Sequence, residues 1–224
     1  MSASITRLAL GSGAFGVNAY LLETDLGFVL VDTGMRSHRT TLEERLAEAG
    51  CTADSLKLIL ITHGDADHIG NAAYLRRTFG APIAMHEGDV RMSSKGDIFA
   101  GRNRPGWLVR TVLPLIARVR AEDRFEPDVL LDEDSDLAEF GLAGARVLLL
   151  RGHSSGSIAL LLADGNLLCG DVLENRSVPR LGSIMDDIPT AQASVERLKA
   201  MPVIAIYPGH GTPFDMSDLT KIAQ

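Results

Sequence analysis

Thr62-His63-Gly64-Asp65-Ala66-Asp67-His68 is the stretch on which the reading of this chain turns. It places two His and two Asp between positions 63 and 68. It directly follows Leu56-Lys57-Leu58-Ile59-Leu60-Ile61, a mostly apolar run of the kind found in a strand buried on both faces. Imidazole and carboxylate groups suit zinc, iron and manganese, and a loop at a strand end can aim several of them at one point. A single Asp in such a loop is usually a turn or cap residue. Four donors at this density point to a metal.

Working outward, short apolar runs recur between Gly, Asp and Thr. Residues 18–23 and 27–31 read as a hairpin of two strands, closed by Asp32-Thr33-Gly34. Residues 39–49 place Leu42 and Leu46 four apart among charges, with Gly50 as a stop, which fits a surface helix. A polar loop is expected over 63–67, a helix over 70–79 closed by Gly80, and a short strand over 82–85. Further strands are expected over 146–150, 157–162, 167–169 and 203–207, with a helix over 191–200. Asp164-Gly165 is a hairpin turn signal. Two series of strands with helices between some of them predict a layered α/β fold.

The rhythm breaks over residues 87–142. This stretch is polar and Gly/Arg/Ser-rich at 92–105, apolar with interspersed Arg at 107–120, and acidic at 123–139. It reads as an insertion over the core of a single domain spanning 1–224, and its apolar segment is open to three roles: a cover over the active-site cleft, a dimer contact or a packing element.

Composition narrows the class. The chain has 224 residues, 46% hydrophobic and 23% charged, which is the balance of a globular protein and excludes general disorder. Its formal charge of -7 repels polyanions, so neither nucleic acid nor an anionic membrane is an expected partner. Cys51 and Cys169 are too few for a disulfide framework. The first ten residues carry no signal-peptide pattern, and no apolar run is long enough to span a bilayer. The expected compartment is the cytoplasm.

Three further donors lie where an apolar run gives way to glycine: His153 after Gly152, Asp171 after Gly170, and His210 between Gly209 and Gly211. Glycine lets the backbone turn sharply and lets a ligand approach closely. In a chain with only six His, this repetition reads as a constellation.

With these pieces in order (Val31-Asp32-Thr33-Gly34, the 63–68 motif, Gly152-His153-Ser154, Gly170-Asp171 and Pro208-Gly209-His210-Gly211) the chain resembles the metallo-β-lactamase superfamily. The resemblance implies a four-layer αββα sandwich with two metal ions in a cleft at one edge of the sheets. It implies His63, Asp65 and His153 as ligands of a first metal, and Asp67, His68 and His210 as ligands of a second. Asp171 matches the bridging carboxylate, and Asp32 a carboxylate that orients ligand groups. Asp32 read from its residues alone is equally a turn residue before Gly34. The family usually has His where this chain has Asp65. A carboxylate there is harder and anionic, which favours oxygen-loving metals. Zinc is the first expectation for the two divalent ions, with iron and manganese as alternatives.

The resemblance implies a hydrolase that uses a metal-activated water on a small ester, lactone or thioester, with Asp67 orienting the nucleophile. A di-iron redox protein related to flavodiiron oxygen reductases and a phosphodiesterase are the alternatives. The expected partner is a small-molecule substrate, and a homodimer is left open. Ser154, Ser155, His38 and His86 read as turn or surface residues, and Cys169 as a core residue.

Overall fold

The computed structural model describes residues 3–13, 16–100, 102 and 119–219. Two six-stranded sheets form its centre. The first runs β1 (Ser4–Leu10), β2 (Val17–Thr24), β3 (Gly27–Val31), β4 (Leu56–Leu60), β5 (Ile83–Met85) and β6 (Val129–Leu130) in spatial as well as chain order. Its first three strands are antiparallel and β3 to β6 are parallel. The second contains β7 (Arg146–Leu149), β8 (Ile158–Leu161), β9 (Asn166–Asn175), β10 (Arg180–Leu181), β11 (Ala205–Gly211) and β12 (Phe214–Asp215). Its order is β12-β11-β9-β8-β7, with β10 added on β9. Only β9 and β11 pair in parallel there.

Side-chain alternation along the strands turns two sheets into four layers. In β4, Leu58 and Leu60 point into the core between the sheets, while Ile59 and the following Ile61 enter a second core on the outer face. The same period of two sends Ile158 and Leu160 of β8 inward, and Ala159 and Leu161 to a third core. The outer cores are closed by helices. α1 (Arg39–Glu48) gives Leu42 and Leu46 to the first sheet's face. The single turn α2 (Ala66–Ile69) gives Ile69, and α3 (Ala72–Phe79) gives Ala72, Ala73 and Leu75. Beyond α4 (Val90–Lys95), α5 (Ile188–Lys199) covers the second sheet with Val195 and Leu198. Each such Leu or Ile contributes about 1.5–3 kcal/mol by leaving water. This is the αββα sandwich that the resemblance implied.

Element limits differ from the expected ones for local reasons. The 63–67 stretch is not all loop, because α2 begins at Ala66 with Asp65 in the extended N-cap position. The next helix starts at Ala72 rather than 70 and ends on Gly80, whose φ of 74° suits glycine. α5 begins three residues before position 191, since the Asp187 side chain accepts from Thr190 N and Pro189 fits the first turn. β1 has no counterpart among the expected strands; only Leu8 and Leu10 of its seven residues are buried. β9 and β11 run on past glycine, so Asp171 and His210 lie inside strands rather than beyond them. Their ladder shifts register at Tyr207/Pro208 and Pro208/His210, and this irregularity turns both side chains towards one point.

Within 87–142, α4 follows a short 3-10 turn, Glu87–Asp89, and β6 extends the first sheet. The apolar segment 107–120 lies outside the described residues apart from 119 and 120. No described helix is long and apolar enough to cross a membrane.

Candidate metal centre

Both sheets end at the same edge, and the seven donors meet there. The loop after β4 carries His63 and Asp65, and α2 carries Asp67 and His68. The turn after β7 carries His153, while β9 and β11 bring Asp171 and His210. Three groups have donor atoms close enough for one ion each: His63, Asp65 and His153; Asp67, His68 and His210; and His63, His68 and Asp171. Asp171 spans the first two, with Oδ1 3.3 Å from His68 Nε2 and Oδ2 3.0 Å from His210 Nε2 and 3.8 Å from His63 Nε2. Asp65 Oδ2 lies 3.0 Å from His153 Nε2 and 3.6 Å from His63 Nε2. Asp67 Oδ2 lies 3.4 Å from His210 Nε2.

The far side of every imidazole is tied down. His153 Nδ1 donates to the Ile184 carbonyl at 2.6 Å and His210 Nδ1 to the Gly16 carbonyl at 2.7 Å, because a carbonyl can only accept. His68 Nδ1 donates to Asp32 Oδ2 at 2.8 Å. Thr62 Oγ1 spends its proton on Asp32 Oδ2 at 2.7 Å, and so accepts from His63 Nδ1 at 3.0 Å. All four rings therefore carry the Nδ1 proton when neutral and turn a bare Nε2 to the centre.

The donor set fits a cation. Among the described residues, His63 Nε2, His68 Nε2 and Asp171 Oδ1 are buried with no hydrogen-bond partner. Such atoms are costly in a folded protein unless something absent from the protein chain satisfies them. The electrostatics agree. Burial, with His68 and His153 as neighbours, pushes His63 well below the usual imidazole range. Burial acts the same way on His68, His153 and His210, but the carboxylates outweigh it. Asp171, Asp32 and Asp67 raise His68, Asp65 raises His153, and Asp171 with Asp67 lifts His210 to about 10. Burial likewise opposes charge on Asp65 and Asp171, yet His153 and Arg102 hold the first low, and His68 and His210 the second. A buried carboxylate cluster of this kind draws positive charge.

Glycine makes the approach of the strands to one another feasible. A Cβ on Gly209 would sit 2.1 Å from Asp171 Oδ1 and 2.7 Å from His68 Cε1. Gly170 adopts φ 55°, and a Cβ there would meet Thr62 Oγ1 at 2.8 Å.

Several contributors carry no motif of their own. Asp89 accepts from Gly64 N at 2.9 Å, Gly156 N at 2.8 Å and Ser154 Oγ at 2.6 Å, and so ties the two His-bearing loops together. Asn18 and Tyr20 both bond the Pro208 carbonyl, at 2.8 and 2.7 Å, and fix β11 against the first sheet. Arg102 pairs with Asp65 Oδ1 at 2.5 Å. None of these residues could have been singled out from sequence, in contrast to Thr62, which opens the motif itself. The other residues are brought to the site from 25 or more positions away in the chain, as Asp89 is from Gly64. His86 is buried rather than on the surface; its Nδ1 accepts from Gly88 N and it stands outside the donor groups. His38 Nδ1 accepts from Met35 N at 3.3 Å, and Cys169 is a core residue.

The chain also matches known proteins. Residues 12–210 match the family model of the metallo-beta-lactamase superfamily. The chain is 28% identical over 204 residues to hydroxyacylglutathione hydrolase GloC of Haemophilus influenzae, covering 89% of this chain and 87% of that protein. It is 26% identical over 250 residues to the acyl-coenzyme A thioesterase MBLAC2 of Homo sapiens, covering 96% and 84%. Among solved structures it resembles TTHA1623 in a di-iron-bound form, with a TM-score of 0.73 and 26% identity over 95% of this chain and 96% of that one.

Proposed function

Because the chain belongs to the metallo-beta-lactamase superfamily and is a hydrolase, we propose that it cleaves a small thioester, ester or lactone at the donor cluster. A thioester is placed first, since a hydroxyacylglutathione hydrolase and an acyl-coenzyme A thioesterase are among the proteins it resembles. The observation that carries the reading is the set of orphaned donors, His63 Nε2, His68 Nε2 and Asp171 Oδ1, framed by four imidazoles in one tautomer.

His63, Asp65 and His153 would hold one divalent ion and Asp67, His68 and His210 the other, with Asp171 shared. Zinc is the first candidate, with iron and manganese as alternatives. Such a pair supplies Lewis acidity for an acyl oxygen and lowers the pKa of a water towards neutrality. The chain's own groups do the rest. The Asp67 side chain, at 30% exposure the most open of these carboxylates, orients an attacking water and takes up its proton. Asp32 fixes the His68 ring, and the Ile184 and Gly16 carbonyls fix His153 and His210, so that donor geometry costs little reorganisation.

We read the chain as one domain whose 87–142 stretch borders the cleft. It acts in the cytoplasm on a small molecule, without nucleic acid or membrane, and a homodimer is compatible with this reading. The test is metal quantification after purification without added metal, joined to a hydrolysis screen over thioesters, lactones, phosphodiesters and β-lactams. Bound zinc with thioesterase or lactonase turnover is the expected result. Bound iron with oxygen consumption would favour instead a di-iron redox protein, a reading that the Asp65 carboxylate and the resemblance to the di-iron form of TTHA1623 support. Absence of any bound metal would overturn both.

A further inference from the structure

We propose that Arg102 is a resident cation that weakens the first metal site, so that the second fills at lower metal concentration. The inference rests on the metal-binding reading given above. Asp65 is the one carboxylate among the three protein groups His63, Asp65 and His153. Its two oxygens are divided. Oδ1 is held by the Arg102 guanidinium at 2.5 Å, while Oδ2 faces His153 Nε2 and His63 Nε2. The Arg102 side chain is only 6% exposed, and its Nε lies 3.6 Å from Asp186 Oδ2. Its positive charge is thus fixed in a water-poor environment, anchored from one side by Asp186 and facing the site from the other.

Three consequences follow for a cation at the first site. Asp65 offers it one oxygen, because the other is engaged. The charge that Asp65 adds to the site in place of a neutral imidazole is offset by the guanidinium. A divalent ion on Oδ2 also stands across a single carboxylate from a fixed positive charge, with little solvent to screen the repulsion. Arg102 also limits rotation of the Asp65 side chain, which by itself would favour binding. Fixing one short side chain is a small gain beside repulsion between a buried monocation and a dication. Among the described residues the second site has no such cation in its donor contacts: Asp67, His68 and His210 touch one another, His63, Asp171, Asp32 and the Gly16 carbonyl. Arg102 is therefore a positioning residue that sets loading order and the gap between the two affinities.

The experiment titrates chelator-stripped full-length protein with Zn²⁺ against a competing chromophoric chelator, with stoichiometry read by elemental analysis. Wild type should show two unequal affinities. Arg102→Met should tighten the weaker one by about tenfold or more, and narrow the gap. Arg102→Lys should keep the gap, because it keeps the charge. If the Met variant does not fold, Arg102→Gln, uncharged but able to donate to Asp65, is read in the same way. In a His153→Ala background, which removes the first site, the change at position 102 should shift the remaining affinity far less. Weaker or unchanged binding in the uncharged variants would overturn the proposal. So would an equal effect on both sites. Wild type that binds no metal at all would instead sink the metal-centre reading from which the proposal starts.

Discussion

Asp32 and His68, thirty-six positions apart, meet at 2.8 Å between Oδ2 and Nδ1, and Asp32 holds this contact from a left-handed backbone with φ 60°. Among the described residues it is the one non-glycine with positive φ. An Asp in that region is strained, and here the strain is fixed by three hydrogen bonds: from His68, from Thr62 N at 2.9 Å and from Thr62 Oγ1. Asn tolerates the same backbone but is a weaker acceptor for an imidazole N–H. Asp32→Asn should therefore fold, and should lower metal affinity by about 10–100-fold. Chelator competition measures this, and wild-type affinity in a folded variant would show that the contact only shapes the turn.

Asp171 lies against His63 of one donor group and His68 and His210 of the other, so its removal should disturb both. Asp171→Ala is expected to reduce bound metal and turnover together, by well over tenfold in turnover. Elemental analysis of the purified variant is the direct readout. Unchanged stoichiometry with full activity would contradict the shared role.

Gly209 tests geometry without touching a donor. The methyl of Gly209→Ala would meet Asp171 Oδ1 and the His68 ring below contact distance, so β11 or Asp171 must move. A displacement of about 1 Å at reacting groups costs on the order of a hundredfold in rate. A loss of that size is expected with a native circular-dichroism spectrum, and wild-type turnover would mean the strands have slack here.

Asp186 gives a pH-dependent stability. Burial pushes its carboxyl up to about 6, against the opposing pull of Arg102 and His153. The folded state then binds the proton more tightly than the unfolded chain, so this group's contribution to stability falls as pH rises from about 4 to about 6. Asp186→Asn should remove the fall. The variant should match wild type below about pH 4 and exceed it by about 1–2 kcal/mol at pH 7, allowing for solvent screening of a partly exposed group. Urea melts at the two pH values check the sign, and a variant less stable at pH 7 would mean that the ion pair with Arg102 dominates.

Much of this architecture was legible in the chain because burial leaves a periodic trace. Leu58 and Leu60 alternate with Ile59 and Ile61, and that pattern predicts a strand covered on both faces. β1 escaped because an edge strand with two buried residues leaves almost no pattern. The continuation of β9 and β11 past Gly170 and Gly209 escaped because glycine reads as a stop, while here it relieves close contacts inside a bulged ladder.

The linear sequence determined the kind of chemistry. A run holding His63, Asp65, Asp67 and His68, and three later donors beside glycines, declared a metal-binding vocabulary and the order of strands that would present it. Only the tertiary structure decided which atoms face inward. Four Nε2 atoms converge because their Nδ1 partners, the Ile184 and Gly16 carbonyls, Thr62 and Asp32, are fixed by the packing of the two sheets. Arg102 reaches Asp65 across 37 positions. Hydrogen-bond direction and charge pairing depend on distances of a few ångströms between segments remote along the chain, and residue spacing does not encode such distances.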